Sequence, residues 1–289
     1  MRIALITDVV LAQWVGGGTL VNDYIARRME LVGHQVQFLQ INSKCNDWDG
    51  VDHADIDLYM VANIPFMTAT QILQLVQSGK PYLVFRHDIA SVCYLPEPAQ
   101  HPSVALIKVL FQNARANIFI SNIQLAYYKR LCDIPRTLVM PPPFDLMEFV
   151  NLQKPDRAGH LYIGEISEQR GIRESIEAMQ ANPDLGPMHF YGQVTSVELE
   201  SIISNAGGER NSEVGHSKVA HLLNTHKHFY YHPRIIDAFC LKVVEAELCG
   251  MQLHVNRNNI GRFYFDATAD QLADFMRGQS MEMLFKLLY

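Results

Sequence analysis

Apolar residues in this chain fall into short dense runs separated by longer stretches of helical spacing, and the alternation is played through twice. Ile3-Ala4-Leu5-Ile6 is the first run, stopped by Thr7-Asp8. A few consecutive apolar residues bounded by polar ones are what a strand covered on both faces of a parallel sheet requires. Gly16-Gly17-Gly18 follows, then residues 20–31 with apolar positions three and four apart, closed by Gly33-His34. That spacing collects the apolar side chains on one helix face, and a glycine just past the end stops the helix. The same reasoning predicts further strands over 36–41, 56–62, 82–85, 117–120 and 138–140, and helices over 69–77, 104–112 and from Ser121 through 131. Pro141-Pro142-Pro143, then Asp145, make a stiff extended connector. Beyond it the alternation resumes. Strands are predicted over 161–164, 188–191, 228–231 and 253–255, with helices over 171–180, 197–206, 219–224 and from Leu241 to a stop at Gly250.

Two βα-alternating halves predict an α/β protein of two Rossmann-like domains, each a parallel sheet covered by helices, facing a central cleft. The domains are read as 1–145 and 146–268. An amphipathic helical tail, 269–289, is expected to pack back across the domain junction.

Composition changes this picture little. A chain of 289 residues accommodates two ordinary domains, and 48% hydrophobic with 19% charged residues suits a globular protein. A net charge of −6 and no basic block argue against nucleic-acid binding. The five cysteines show neither a CxxC pair nor a framework spacing, which fits a reducing cytoplasm. Arg2 and the few apolar residues after it make no ordinary signal peptide, and no apolar run reaches the ~18 residues of a membrane span. A soluble cytoplasmic protein is expected.

The string that carries most chemistry is Asp237-Ala238-Phe239-Cys240-Leu241, continuing to Glu245 and Gly250. A helix starting near Leu241 leaves Asp237 in the loop before it and Glu245 little more than a turn inside. At ~100° per residue the two acids lie about 80° apart, so both face one cleft at the helix N-terminus. Free N–H groups and the helix dipole there attract phosphate, while carboxylates take sugar and ribose hydroxyls. An ordinary amphipathic helix with solvated acids is the other reading of the same residues. Gly16-Gly17-Gly18 does not complete a dinucleotide fingerprint, because Val21 stands where a third glycine belongs. It still lets backbone approach a phosphate or sugar closely, or simply makes a tight turn. His87, with Arg86 and Asp88, ends a predicted strand where open α/β sheets bind ligands. His216, His221, His226, His228 and His232 cluster late, but no HExxH and no cysteine pair accompanies them, so no metal site is expected.

Taken in order and spacing, these strings resemble the GT-B glycosyltransferases, in particular the large retaining group called family 4. The likeness rests on Gly16-Gly17-Gly18, on Gly33-His34-Gln35-Val36, on His87 and on Phe119-Ile120-Ser121. Pro142-Pro143-Phe144-Asp145 matches the interdomain linker, and Tyr162-Ile163-Gly164-Glu165 with Gln169-Arg170-Gly171 matches the opening of the second domain. Asp237 and Glu245 stand at the ends of the family's Glu-x7-Glu element. The resemblance implies a retaining transfer of sugar from a nucleotide-diphosphate sugar to a hydroxyl acceptor. It needs no metal or other cofactor. It also implies roles. Arg170 pairs with the donor diphosphate, Asp237 faces donor-sugar hydroxyls, and His87 sits beside the transferred sugar. Glu245 takes the ribose, and backbone at Phe239, Cys240 and Leu241 approaches the phosphates and sugar. Gly17 and Gly18 let the first, acceptor-side domain close over the donor phosphates. Gly164 belongs to the donor-binding set, and Gly215 with His216 borders the base. The acceptor is a small molecule, a glycan or another hydroxyl compound, and the acidic balance lends only weak support to nucleic acid.

The chain also departs from the family. Glu165 stands where many members carry Arg, Asp237 replaces Glu, and Cys240 replaces Gly. One cation of the diphosphate clamp is thus lost unless Arg173, Lys242 or Arg257 supplies it. A catalytically inactive nucleotide- or sugar-binding relative, or a sugar-nucleotide epimerase or hydrolase of this fold, is the alternative.

Overall fold

The computed structural model describes residues 1–13, 16–62 and 67–289. Trp14 and Val15, just before the glycine string, and part of the predicted loop after the third strand lie outside the described residues. By contacts the chain divides into two units, Met1–Asp145 with Asp274–Tyr289, and Leu146–Ala273.

The first unit is built on six parallel strands: β1 (Arg2–Thr7), β2 (Gln35–Gln40), β3 (Leu58–Val61), β4 (Tyr82–Arg86), β5 (Ala116–Phe119) and β6 (Thr137–Val139). They lie in the order β2-β1-β3-β4-β5-β6. Ile3 pairs with Val36 on one side and Leu58 on the other, which makes β1 an interior strand. Ile3, Ala4, Leu5 and Ile6 are fully buried, as the unbroken apolar run demands. The helices are α1 (Gly17–Leu31), α2 (Ala69–Gln77), α3 (Ser103–Asn113) and α4 (Asn122–Lys129). Thr68 caps α2 and Ser121 caps α4 by accepting the backbone N–H groups of Gln71 and Gln124. Each cap satisfies a donor that the helix leaves unpaired and is worth about 1 kcal/mol.

The second unit has five parallel strands: β7 (His160–Ile163), β8 (Met188–Tyr191), β9 (Glu209–Asn211), β10 (His228–Tyr231) and β11 (Gln252–Val255), ordered β11-β10-β7-β8-β9. Its helices are α5 (Ile172–Gln180), α6 (Val197–Asn205), α7 (His216–Thr225), α8 (Leu241–Leu248) and α9 (Ala269–Asp274), the last reaching the unit boundary. The tail completes the first unit. A π turn at Phe275–Gln279 joins α9 to α10 (Ser280–Leu288) within the predicted helical tail. Ser280 Oγ donates to the Pro141 carbonyl at 2.8 Å, and Arg115 Nη1 donates to the Leu288 carbonyl at 3.0 Å. The break between the second unit and the tail falls at 273/274, later than the predicted 268/269. No helix among the described residues is long and apolar enough to cross a membrane.

Candidate functional site

At the carboxyl edge of the second sheet, β10 ends in Tyr231 and the chain runs through His232 and Pro233 to Asp237. The backbone of Asp237 is fixed from both directions: its N–H donates to the Asn259 carbonyl at 2.8 Å and its carbonyl accepts from Gly261 at 2.9 Å. Its carboxylate is 19% exposed and carries three contacts. Tyr231 OH donates to Oδ2 at 2.8 Å, Arg170 Nη1 lies 3.3 Å from the same oxygen, and Phe239 N–H donates to Oδ1 at 3.3 Å. Arg170 Nη1 also donates to Tyr231 OH at 3.1 Å, closing a triangle of guanidinium, phenol and carboxylate. Burial, then Asp237, pushes the Tyr231 phenol well above its ordinary pKa, so it stays a donor. Tyr231 and Asp237 in turn raise Arg170, so the cation is permanent.

Arg170 is delivered there by a close backbone approach. Gly171 has φ +70° and caps α5, and a Cβ on it would collide with the His232 carbonyl. Arg234 N–H donates to the Gln169 carbonyl at 3.0 Å across the same contact. Gly164, at φ +143°, closes β7. Cys240 precedes α8 at φ +66°, a left-handed conformation that favours glycine. Burial, then Asp237, holds the Cys240 thiol protonated. An eight-residue helix therefore begins beside the triangle, and its first N–H groups lack intrahelical partners.

Glu245 belongs to a second network. Its side chain is fully buried, with Lys242 Nζ at 2.9 Å from Oε2 and His216 Nε2 at 3.4 Å from Oε1. Burial alone would raise the carboxyl pKa, but Lys242 and His216 outweigh it and hold Glu245 below the usual range. His216 opens α7 behind Gly215 and meets Glu148 Oε1 through Nδ1 at 3.2 Å, with Phe149 edge-on to its ring. Glu245 is thus joined to the start of α7, while Asp237 is joined to Arg170 and Tyr231.

In the first unit, His87 follows β4. Its Nε2 lies 2.6 Å from Asn22 Oδ1 on α1, and its ring stands edge-on to Phe85. Gly18 lies against the ring: a Cβ there would sit 3.5 Å from His87 Cβ and Cγ. Burial and Arg86 lower the imidazole pKa, with Asp88 opposing, to about 4. The loop itself is pinned from below. Fully buried Arg86 donates to Tyr128 OH at 3.0 Å and to Asp88 Oδ1 at 2.7 Å, while Gln124 Nε2 donates to the Asp88 carbonyl at 2.8 Å.

The structure thus brings Arg170 to Asp237, His216 to Glu245 and Gly18 to His87. Phe239 contributes backbone only, its ring being buried against Phe265. Glu165 is exposed and is not the partner of Arg170. The three candidate second cations are engaged: Arg173 by Glu168 and Glu198, Lys242 by Glu245, and Arg257 over the Phe263 ring. His228 pairs with His254 and His189 with His226, and among the described residues no three metal-ligating side chains converge. Sequence reasoning missed Tyr231, whose signal was its place at the end of a strand. It also missed Asn22 and Glu148, which nothing in their own neighbourhoods marks.

No protein-family model and no curated protein matches the chain, but solved structures do. Sucrose-phosphate synthase from Thermosynechococcus elongatus superposes with a TM-score of 0.73 at 17% identity, over 99% of this chain and 94% of that one. HepE from Anabaena, solved with UDP and glucose, gives 0.69 at 14%, over 100% and 92%. The fold is that of the GT-B glycosyltransferases. WaaG, a glycosyltransferase of lipopolysaccharide biosynthesis, adds a TM-score of 0.68 at 14% identity, over 99% and 94% of the two chains.

Proposed function

We propose that this GT-B chain transfers a sugar from a nucleotide-diphosphate sugar to a hydroxyl acceptor with retention of the anomeric configuration. The observation that carries the reading is the Arg170–Tyr231–Asp237 triangle beside the N-terminus of α8. As the glycosidic bond breaks, negative charge grows on the departing diphosphate. A permanent guanidinium and the N-terminal N–H groups of α8 meet that charge without reorganising. Asp237, paired with Arg170, is left to accept hydrogen bonds from sugar hydroxyls. The reading takes departure and attack to occur on one face, with the leaving phosphate accepting the acceptor's proton. Glu245 takes the ribose, and Gly17, Gly18, Gly164, Gly215 and His87 have the roles the resemblance gives them. The reading invokes no metal, and the acceptor is a small molecule, a glycan or another hydroxyl compound.

A non-catalytic binding relative is the second reading. It is favoured by Glu245, whose two oxygens are already taken by Lys242 and His216. Thermal-shift titration with UDP-, GDP-, ADP- and CDP-sugars, UDP-glucose first, tests the donor site. Stabilisation by one of them, lost in Arg170→Ala or Asp237→Ala, is expected; a ligand at 100 times its Kd adds about 2.7 kcal/mol. Donor turnover with an acceptor library then separates the two readings, and binding with no turnover leaves the second.

A further inference from the structure

We propose that Thr7 and Asn22 are positioning residues that hold His87 as a single tautomer, with Nε2 protonated and the Nδ1 lone pair presented to ligand. His87 then recognises a hydroxyl that donates, and it cannot itself donate to a ligand oxygen. The argument is one of hydrogen-bond polarity. Thr7 Oγ1 lies 3.0 Å from the Val9 carbonyl, and a backbone carbonyl only accepts, so the hydroxyl proton is committed there. Asn22 Nδ2 lies 3.4 Å from the same Thr7 oxygen, which therefore receives an amide proton. That orients the amide with Oδ1 toward His87, 2.6 Å from Nε2. An amide oxygen only accepts, so Nε2 carries the hydrogen. Nδ1 makes no hydrogen bond to the described residues.

The relay is stiff at each link. Thr7 is 2% exposed at the end of β1, and Asn22 is 3% exposed on α1. Packing of Gly18 on the ring and of Phe85 at its edge limits rotation. Two charged groups face the imidazole, Asp88 favouring its protonation and Arg86 opposing it, and burial adds to Arg86, so the ring is neutral at pH 7. A neutral ring with one nitrogen committed has one chemistry left, acceptance at Nδ1. Identification of the incoming hydroxyl with a sugar rests on the glycosyl-transfer reading; the tautomer does not.

Long-range nitrogen–proton spectra of the labelled full chain test this, with the His87 signals assigned by their loss in His87→Gln. Expected in the wild type are a protonated Nε2, an unprotonated Nδ1 and a midpoint near pH 4. Asn22→Asp puts a carboxylate on Nε2 and raises that midpoint by roughly one unit or more. The acid limb of donor turnover should move with it. Thr7→Val, which removes the first link without adding charge, should mix the tautomers. A protonated Nδ1 or a mixed tautomer in the wild type overturns the assignment, whether or not any variant folds. An unmoved midpoint in a folded Asn22→Asp does the same. Correct spectra without sugar transfer would count against the transferase reading and leave the relay standing.

Discussion

Gly171→Ala isolates how Arg170 is placed. A methyl group at this position faces two separable costs. The first is conformational: φ is +70°, and a non-glycine residue there costs about 1–2 kcal/mol, less the 0.4–1 kcal/mol recovered from a stiffer unfolded chain. The second is steric. The new Cβ would fall far inside 3.0 Å of the His232 carbonyl oxygen, with Pro233 N at 3.2 Å behind it, and both are backbone. Relief requires moving the start of α5 away from the end of β10, which stretches the Arg234–Gln169 bond and the 3.1 Å contact between Ser175 Oγ and His232 Nδ1. Two hydrogen bonds at about 1 kcal/mol each and disturbed packing bring the total to roughly 3–5 kcal/mol. Gly207→Ala is the matched control, at φ +76° in the same unit with nothing within 4 Å of its Cβ. It should cost about 1 kcal/mol or less. Urea unfolding followed by circular dichroism measures both through the midpoint at constant slope. Donor binding should weaken for Gly171→Ala and hold for Gly207→Ala. Equal destabilisation of the two variants refutes the steric argument.

Acid should weaken the second unit. His160, His226, His228, His232 and His254 all have pKa values lowered by burial, His228 to about 4, and His160 and His228 each bury an Nε2 without a hydrogen-bond partner among the described residues. The unfolded chain binds protons from about pH 6.5 that the fold refuses, so stability holds above that pH and falls below it. His228 alone contributes roughly 2–3 kcal/mol by pH 4, and His228→Gln should flatten the curve of urea midpoint against pH. Lys242→Met strands the buried Glu245 with His216 alone and should cost about 3–5 kcal/mol at pH 7. The double variant with Glu245→Gln should recover most of that loss, and a non-recovering double variant would mean that packing, not charge, holds the pair. Tyr231→Phe keeps the ring and removes the hydroxyl from Arg170 and Asp237. It should lower the donor-induced thermal shift without abolishing it, and an unchanged shift would remove the phenol from the site.

The fold was legible because its strands are buried on both sides. Ile3 to Ile6, Leu83 to Phe85 and Leu161 to Ile163 announce themselves as apolar runs, and the helices between them by spacing. β9 was missed for the opposite reason: Glu209-Arg210-Asn211 is an edge strand, exposed and polar, held by its pairing with β8. α7 begins at His216, three residues before its apolar face starts at Val219. In the site, spacing anticipated Asp237 in the loop ahead of α8 and Glu245 a turn inside it, but not the Lys242 and His216 contacts on Glu245. Contacts such as Tyr231 with Asp237, or Asn22 with His87, join distant segments, and only the assembled sheet makes them neighbours.

The first unit closes only when the tail is present, because α10 and the π turn before it are part of it. On a ribosome this imposes an order. The segment through Asp145 emerges first, yet Ser280 and Leu288, which bond Pro141 and Arg115, emerge after the whole of the second unit. At ordinary elongation rates the wait is roughly ten seconds. During that time the surface meant for Met276, Met281 and Leu284 stands open to solvent. Leu146–Ala273, by contrast, is one unbroken stretch and has all its strands before the tail is made. The unit that holds Met1–Asp145 is therefore completed after Leu146–Ala273, and during that interval the nascent chain is exposed to chaperones and to aggregation through the earlier segment.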